Sequence, residues 1–368
     1  MKTYRFMPAI AAAAVLALGV VACGEDEEPA ATGGGTTTQQ QEELSGNLAG
    51  AGASSQDAAQ QAWIVGFQDA NPDVTVSYDP VGSGGGREQF VAGGTAFGGT
   101  DSHLADEELT GAQDRCGGPD NLIEAPVYIS PIAIIYNLEG VDGLQLSAET
   151  LAKIFKQEIK QWNDPAIAAD NPGATLPNER ITPVNRSDES GTTENFQEYL
   201  AAVVPDVWTF EVDGNWPVKG GEAAQGTSGV VDAVKAGKGA IGYADASQAG
   251  ELGVAKIKVG EAFVGPTPEA AAAILEHSEE TDDPGQFVFT FELARDTTEG
   301  GAYPIVLVSY AMACTSYDDA NTAALVKGYL GYIISPDGQA AAAQNAGSAP
   351  LSDALRAKLQ PAVDAIGS

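Results

Sequence analysis

A glycine-rich stretch that carries a serine or threonine and runs straight into an apolar helical pattern occurs three times in this chain. In residues 47–67, NLAGAGASSQDAAQQAWIVGF, a glycine-rich loop precedes Ser54 and Ser55. The spacing after it predicts a helix with Asp57 in its first turn and Ala58, Ala62, Ile64 and Val65 in its apolar positions. In residues 78–94 a predicted strand, VTVSYDP, leads to Gly82, Ser83 and three more glycines, then to a helix around Phe90 and Val91. In residues 185–196, NRSDESGTTENF, Ser190, Gly191 and Thr192 stand ahead of Phe196, Tyr199, Leu200 and Val203 at helical spacing. Glycine lets a backbone turn sharply and come close to another group, and the first turn of a helix holds amides with no partner of their own. A strand–loop–helix chain of this kind tends to gather its helix starts at one place.

Two uses of such starts are open. The first is capping: the Ser190 hydroxyl satisfies first-turn amides, Glu194 sits near the positive end of the helix, and Asp188 pairs with Arg186. The second is an anion site, because amides and hydroxyls at a helix start bind oxyanions and an arginine beside them adds a two-pronged donor. No Gly-Lys-Ser/Thr follows either of the first two stretches, which argues against a nucleotide-binding P-loop. A further segment, AFGGTDSHL (96–104), ends an apolar stretch on Asp101. Asp101 either caps the LADEEL helix behind it or aims one carboxylate at the bound anion. An ionised carboxylate only accepts hydrogen bonds. Among donors it would welcome an oxyanion that keeps a proton and repel one that has none.

The N-terminus reads as a targeting segment. Lys2 and Arg5 precede AIAAAAVLALGVVA, which is short for a membrane span and ends at Cys23 in a pattern that resembles a bacterial lipobox. Residues 1–22 are therefore expected to be a lipoprotein signal peptide and Cys23 the lipidated residue, the alternative being an ordinary secretory peptide with an incidental cysteine. Residues 23–43 hold no large apolar side chain beyond that cysteine and read as a flexible acidic tether. The body from 44 to 368 is long for a single compact core and suggests two domains.

The chain has 51 acidic against 18 basic residues, a net charge of −33 that reaches about −35 once Lys2 and Arg5 leave. A field of that sign repels nucleic acid and anionic membrane surfaces, so any anion site must act through close, directed donors. Cys116 and Cys314 remain as an even pair in an exported chain, read as a disulfide, with two buried thiols as the alternative. His103 and His277 are thin material for a zinc site or a catalytic triad, and no metal or cofactor is expected.

GAGAS (50–54), GSGGG (82–86), GGTD (98–101), NRSDESGTTENF (185–196) and GAIGY (239–243) occur in that order, and together they resemble the phosphate-binding proteins of Pst-type ABC importers. The likeness runs over most of residues 46–350 and includes KIFKQEIKQWNDPAIAADNPG (153–173). It implies an α/β, two-lobed, Venus-flytrap fold of the type II periplasmic-binding-protein kind. Residues 44–136 and 305–368 would form lobe 1 and residues 137–304 lobe 2. PIVLVSYAMAC (304–314) would be the buried strand returning to lobe 1, where a Cys116–Cys314 bridge would then lie.

The resemblance also implies a ligand set. Ser54, where the family usually has threonine, supplies a hydroxyl, and Ser55, where the family often has phenylalanine, a backbone amide. Ser83, Ser190 and Thr192 supply hydroxyls, Gly191 an amide, Asp101 the proton-accepting carboxylate, and Arg186 the guanidinium that Asp188 orients. The implied function is capture of inorganic phosphate and delivery to membrane permease subunits by a monomer lipid-anchored on the extracytoplasmic face. Besides a surface adhesion or scaffold lipoprotein on this fold, which the tether allows but nothing in the sequence requires, two rivals remain: a binding protein for sulfate, molybdate or a phosphonate, and a secreted phosphatase. The second lacks a metal cluster or a serine with a neighbouring histidine. Trp63, Trp162, Trp208 and Trp216 read as packing residues, 268–287 as a helix followed by an acidic loop, and 328–347 as two helices broken at Ser335-Pro336.

Overall fold

The computed structural model describes residues 43–104, 106–281 and 285–367. The expected signal peptide, Cys23 and nearly all of the tether lie outside the described residues. Among those described, no helix is long and apolar enough to cross a membrane.

A mixed sheet organises the chain. Its strands are β1 (Gly46–Gly52), β2 (Val74–Asp79), β3 (Phe97–Thr100), β4 (Leu122–Tyr136), β5 (Thr182–Arg186), β6 (Glu222–Ala224), β7 (Ala240–Asp245) and β8 (Val306–Cys314), side by side in the order β2-β1-β3-β8-β4-β7-β5-β6. Two short strands, Gly253–Val254 and Phe287–Val288, also pair with β4. β4 is buried along all 15 residues, as expected of a strand covered on both faces. From Leu122 to Pro131 it pairs antiparallel with β8, and from Ile132 to Tyr136 with β7. One strand thus serves two half-sheets, and the change of partner falls at Pro131, which has no N–H to give a ladder. The expected chain crossing at Tyr136–Asn137 lies at the far end of the same strand.

Two stretches read as glycine loops are regular structure instead. GNLAGAG is β1, paired in parallel with both β2 and β3. The glycines after Gly82 form the first turns of helix α2 (Ser83–Val91), which follows helix α1 (Asp57–Ala70) in the chain. Close packing is the reason: a Cβ on Gly86 would stand 2.3 Å from the Gly52 Cα, so α2 lies directly on β1. The predicted apolar face of α1 is also rotated. Ala59, Trp63 and Phe67 face the core, while Val65 is 59% exposed and Ala58, Ala62 and Ile64 sit at the margin. The two large rings one helical turn apart bury more apolar area than the small residues, and the Trp63 Nε1 donates to the Gly338 carbonyl at 2.8 Å.

Helix α3 (Asp106–Cys116) ends at the cysteine that is bridged to Cys314, the last residue of β8. In helix α4 (Gly191–Val203), Phe196, Tyr199 and Leu200 are buried as the spacing predicts, whereas Val203, its last residue, is 37% exposed. Helix α5 (Gly226–Ala236) covers β5 and β7. Trp63, Trp162 and Trp208 are core residues, and Trp216 stacks on Phe196 with centroids 6.2 Å apart. Ser335 ends helix α6 (Ala320–Ile334) and caps helix α7 (Pro336–Ala346). The acidic run after the Pro268–Glu276 helix is not all loop, because Glu279–Glu280 pairs with Phe291–Glu292.

Where β4 changes partner, Asp245 closes β7 opposite Ile132. It is fully buried and accepts hydrogen bonds from the Tyr128 hydroxyl (3.0 Å) and the Ser247 amide (3.0 Å). Burial raises its pKa from 3.8 to about 6, against hydrogen bonds from Ser247 and Tyr128 that pull it down. A carboxyl raised in this way holds its proton more tightly folded than unfolded. Its contribution to stability is complete below the unfolded value and is lost as pH rises through about 6. Asp245→Asn should therefore gain on the parent across this window, the difference in unfolding free energy moving by about 3 kcal/mol between acid and neutral pH. Urea unfolding of both proteins across pH checks this; parallel profiles would refute it.

Candidate functional site

Four helix starts meet at the C-terminal ends of parallel strands, the usual place for a site in such sheets. Ser54 and Ser55 form a short 3-10 turn between β1 and α1. Ser83 opens α2 after β2. Ser190 caps α4 after β5, accepting from the Thr193 amide at 3.2 Å, so the capping role read for it is real. Gly226 and Thr227 open α5 after β6.

Asp101, directly after β3, is the point on which these starts converge. It is 3% exposed. Its carboxylate accepts from the Ser55 hydroxyl at 2.6 and 2.8 Å, the Thr192 hydroxyl at 2.9 Å and the Ser309 hydroxyl at 2.6 Å. Among the described residues none of the carboxylate's hydrogen bonds goes to the helix behind Asp101. Its amide donates to the Ser83 hydroxyl at 3.1 Å, and its carbonyl accepts from the Asn195 side chain at 2.7 Å. The first turn of α4 lies against it: a Cβ on Gly191 would stand 2.7 Å from the Asp101 Cβ and 2.9 Å from the Ser83 hydroxyl.

Arg186 ends β5 and is 3% exposed. Its Nε and Nη2 grip the two Asp188 oxygens at 2.9 and 2.5 Å, the fork geometry that orients a guanidinium. The Gly226 amide also donates to Asp188, at 3.0 Å. Burial works against the Asp188 charge, but Arg186 and the Gly226 amide hold its pKa below the usual carboxylate value. Gly82 joins the two clusters, since a Cβ there would lie 2.6 Å from Asp188 Oδ2 and 3.5 Å from Arg186 Nη2.

The eight sequence-predicted ligand residues and Asp188 thus gather at one seam between the half-sheets. Ser54 stands at its margin, its hydroxyl 3.1 Å from that of Thr227 and accepting from the Thr227 amide at 3.0 Å. Cys116 and Cys314 belong elsewhere, packed with Phe90, Leu104 and Met312.

Four residues escaped sequence reasoning. Gly226 and Thr227, in QGTSGVV, repeat the glycine–hydroxyl–helix pattern and were open to recognition. Ser309 is the one serine in the apolar run VLVSYAMAC, and a register shift between it and Tyr310 sets its aim toward Asp101. Asn195 had no signal, since its place depends on how α4 docks.

A family model described as a PBP superfamily domain matches residues 34–337. In solved structures, a periplasmic phosphate-binding protein, PfluDING, bound with phosphate, superposes with a TM-score of 0.71 at 24% identity, over 86% of this chain and 93% of the other; at that identity the likeness is one of fold. Phosphate-binding protein PstS 3 of Mycobacterium tuberculosis is 38% identical over 374 residues, covering all of both chains. Phosphate-binding protein PstS of Haemophilus influenzae is 31% identical, over 78% of this chain and 84% of its own. The chain belongs to the PBP superfamily and, within it, to the PstS phosphate-binding protein family.

Proposed function

We propose that this protein binds inorganic phosphate between its two half-sheets and delivers it to the permease of an ABC importer. The observation that carries the reading is Asp101, a buried carboxylate among helix starts and hydroxyls with Arg186 close by. Helix amides and Arg186 supply positive potential to a dehydrated oxyanion. The Arg186 Nη1 makes no hydrogen bond among the described residues and is the nitrogen available to the ligand. Ser54, Ser83, Ser190 and Thr192 offer hydroxyls, Ser55 and Gly191 amides. Asp101 accepts a hydrogen bond from the hydroxyl that phosphate still carries near neutral pH.

In this reading residues 44–136 and 305–368 form one lobe and 137–304 the other, with β4 and β8 as the connecting strands. The lobes close on phosphate and reopen at the permease. Cys23 carries the lipid and residues 23–43 tether a monomer at the extracytoplasmic face of the membrane. The protein acts in this reading as a carrier without turnover: among the described residues no histidine is hydrogen-bonded to Ser190, and His277 pairs with Glu299.

Calorimetric titration of residues 44–368, stripped of bound phosphate, tests the reading. One-to-one heat with phosphate and none with sulfate is the expected result. Heat from sulfate alone would make the ligand another oxyanion, and hydrolysis of a chromogenic phosphate ester would make the protein an enzyme. Asp101→Asn should lose phosphate affinity by about tenfold, the scale of one hydrogen bond to a charged group, and should begin to bind sulfate. Continued exclusion of sulfate would show that the carboxylate does not select the ligand.

A further inference from the structure

Arg87 is 4% exposed, yet it belongs neither to the expected ligand set nor to a core. It sits one turn into α2, behind Ser83. On its own side of the seam its Nη1 donates to the Thr100 hydroxyl (3.0 Å) and the Ser102 hydroxyl (3.1 Å), and its Nε faces Glu108 of α3 at 2.8 Å. Its Nη2 reaches across to Glu189 at 2.6 Å. Glu189 lies between Asp188, which orients Arg186, and Ser190, which caps α4. Beside the hydrogen bonds of Thr192 and Asn195 to Asp101, a buried guanidinium therefore also crosses between the two half-sheets and holds the loop carrying the arginine of the site.

The backbone is shaped for this crossing. Gly82 has φ +102 and stands where a Cβ would meet Asp188 Oδ2 at 2.6 Å, and a Cβ on Gly84 would lie 2.5 Å from the Glu189 carboxyl carbon. Side chains at either position would push the β5–α4 loop off the α2 start. Glu189 is 45% exposed in its side chain and Arg87 only 5%, so separating the halves returns Glu189 to water while Arg87 keeps Glu108 and its two hydroxyls. Bonds within one half survive opening; the bond to Glu189 does not.

We propose that the Arg87–Glu189 pair is a closure latch, a positioning contact that favours the closed arrangement and slows release of the bound anion. This rests on the reading that the halves separate to exchange phosphate. Glu189→Gln should release phosphate about tenfold faster with an unchanged association rate, since loss of a partly buried charge partner acts mainly on dissociation. Glu108→Gln removes a carboxylate from the same guanidinium within one half and should leave release unaltered. A merely structural role for Arg87 predicts similar effects of both.

The experiment has two readouts. Stopped-flow release of phosphate is measured for the parent, Glu189→Gln, Glu108→Gln and Arg87→Lys, the last keeping the charge but losing the fork, with an intermediate rate expected. Fluorophores on Val65→Cys and Lys238→Cys, one exposed position in each half, report the separation of the halves in stripped protein, which should lengthen in Glu189→Gln, lengthen less in Arg87→Lys and stay unchanged in Glu108→Gln. Unchanged release and separation in Glu189→Gln, or equal effects in Glu108→Gln, would overturn the latch. A parent that binds no phosphate would overturn the proposed ligand instead, and the separation measured without ligand would still decide the latch.

Discussion

Arg186→Ala should weaken phosphate binding by about 100-fold or more. The guanidinium is buried, and half of its fork is committed to Asp188 at 2.9 and 2.5 Å. Truncation removes the directed charge that faces the anion and also leaves Asp188 as a poorly compensated negative group beside it. Loss of one partner from a buried, hydrogen-bonded charge pair is worth roughly 2–5 kcal/mol. Net charge makes the effect harder to mask, because a chain at −33 offers an incoming anion no general attraction. Titration calorimetry on stripped protein measures it. Asp188→Asn, which keeps the guanidinium but loosens its grip, should fall between parent and Arg186→Ala. Unaltered affinity in Arg186→Ala would remove Arg186 from the site.

The second large effect is on stability. The Cys116–Cys314 bridge closes a loop of sequence separation 198. Chain-entropy arguments put the stabilisation of so long a loop at about 5 kcal/mol, within a measured range of about 2–5 kcal/mol for native bridges. The double variant Cys116→Ala/Cys314→Ala should lose stability on that scale in urea unfolding. Both cysteines pack with Phe90, Leu104, Ala112 and Met312, away from Asp101 and Arg186, so the folded variant should keep its phosphate affinity. An affinity loss as large as that of Arg186→Ala would mean that the bridge positions the site and does more than stabilise the fold.

Much of the site was legible because its chemistry is local. A hydroxyl at a helix start, a glycine that lets backbones approach and an arginine two residues from an aspartate are short-range patterns, and Ser190 shows why they are ambiguous: the cap geometry and the ligand geometry use the same atoms. The missed pieces are non-local. Ser309 lies 208 residues from the Asp101 carboxylate it bonds, and nothing within VLVSYAMAC distinguishes a serine aimed at a site from one buried by chance. Asn195 and the Arg87–Glu189 pair likewise depend on which elements dock, 94 and 102 residues apart.

The errors in reading the fold have the same origin. GNLAGAG looked like a loop because glycine is a poor strand former in isolation. It is a strand with a neighbour on each side because Gly50 and Gly52 leave room for the Phe97 ring and the Gly99 backbone of β3, and Gly86 lets α2 lie against it. In α1 the period was visible but its phase was not, since Trp63 and Phe67 find their partners across the core while Val65 meets solvent. By itself the sequence determined the residue types of the proposed anion site, the acidic composition and the family. The tertiary structure alone decided which hydroxyls face Asp101, where β4 changes partners and which ion pair spans the seam. Those outcomes depend on contacts between segments on the order of 100 residues apart, whose geometry local propensity does not encode.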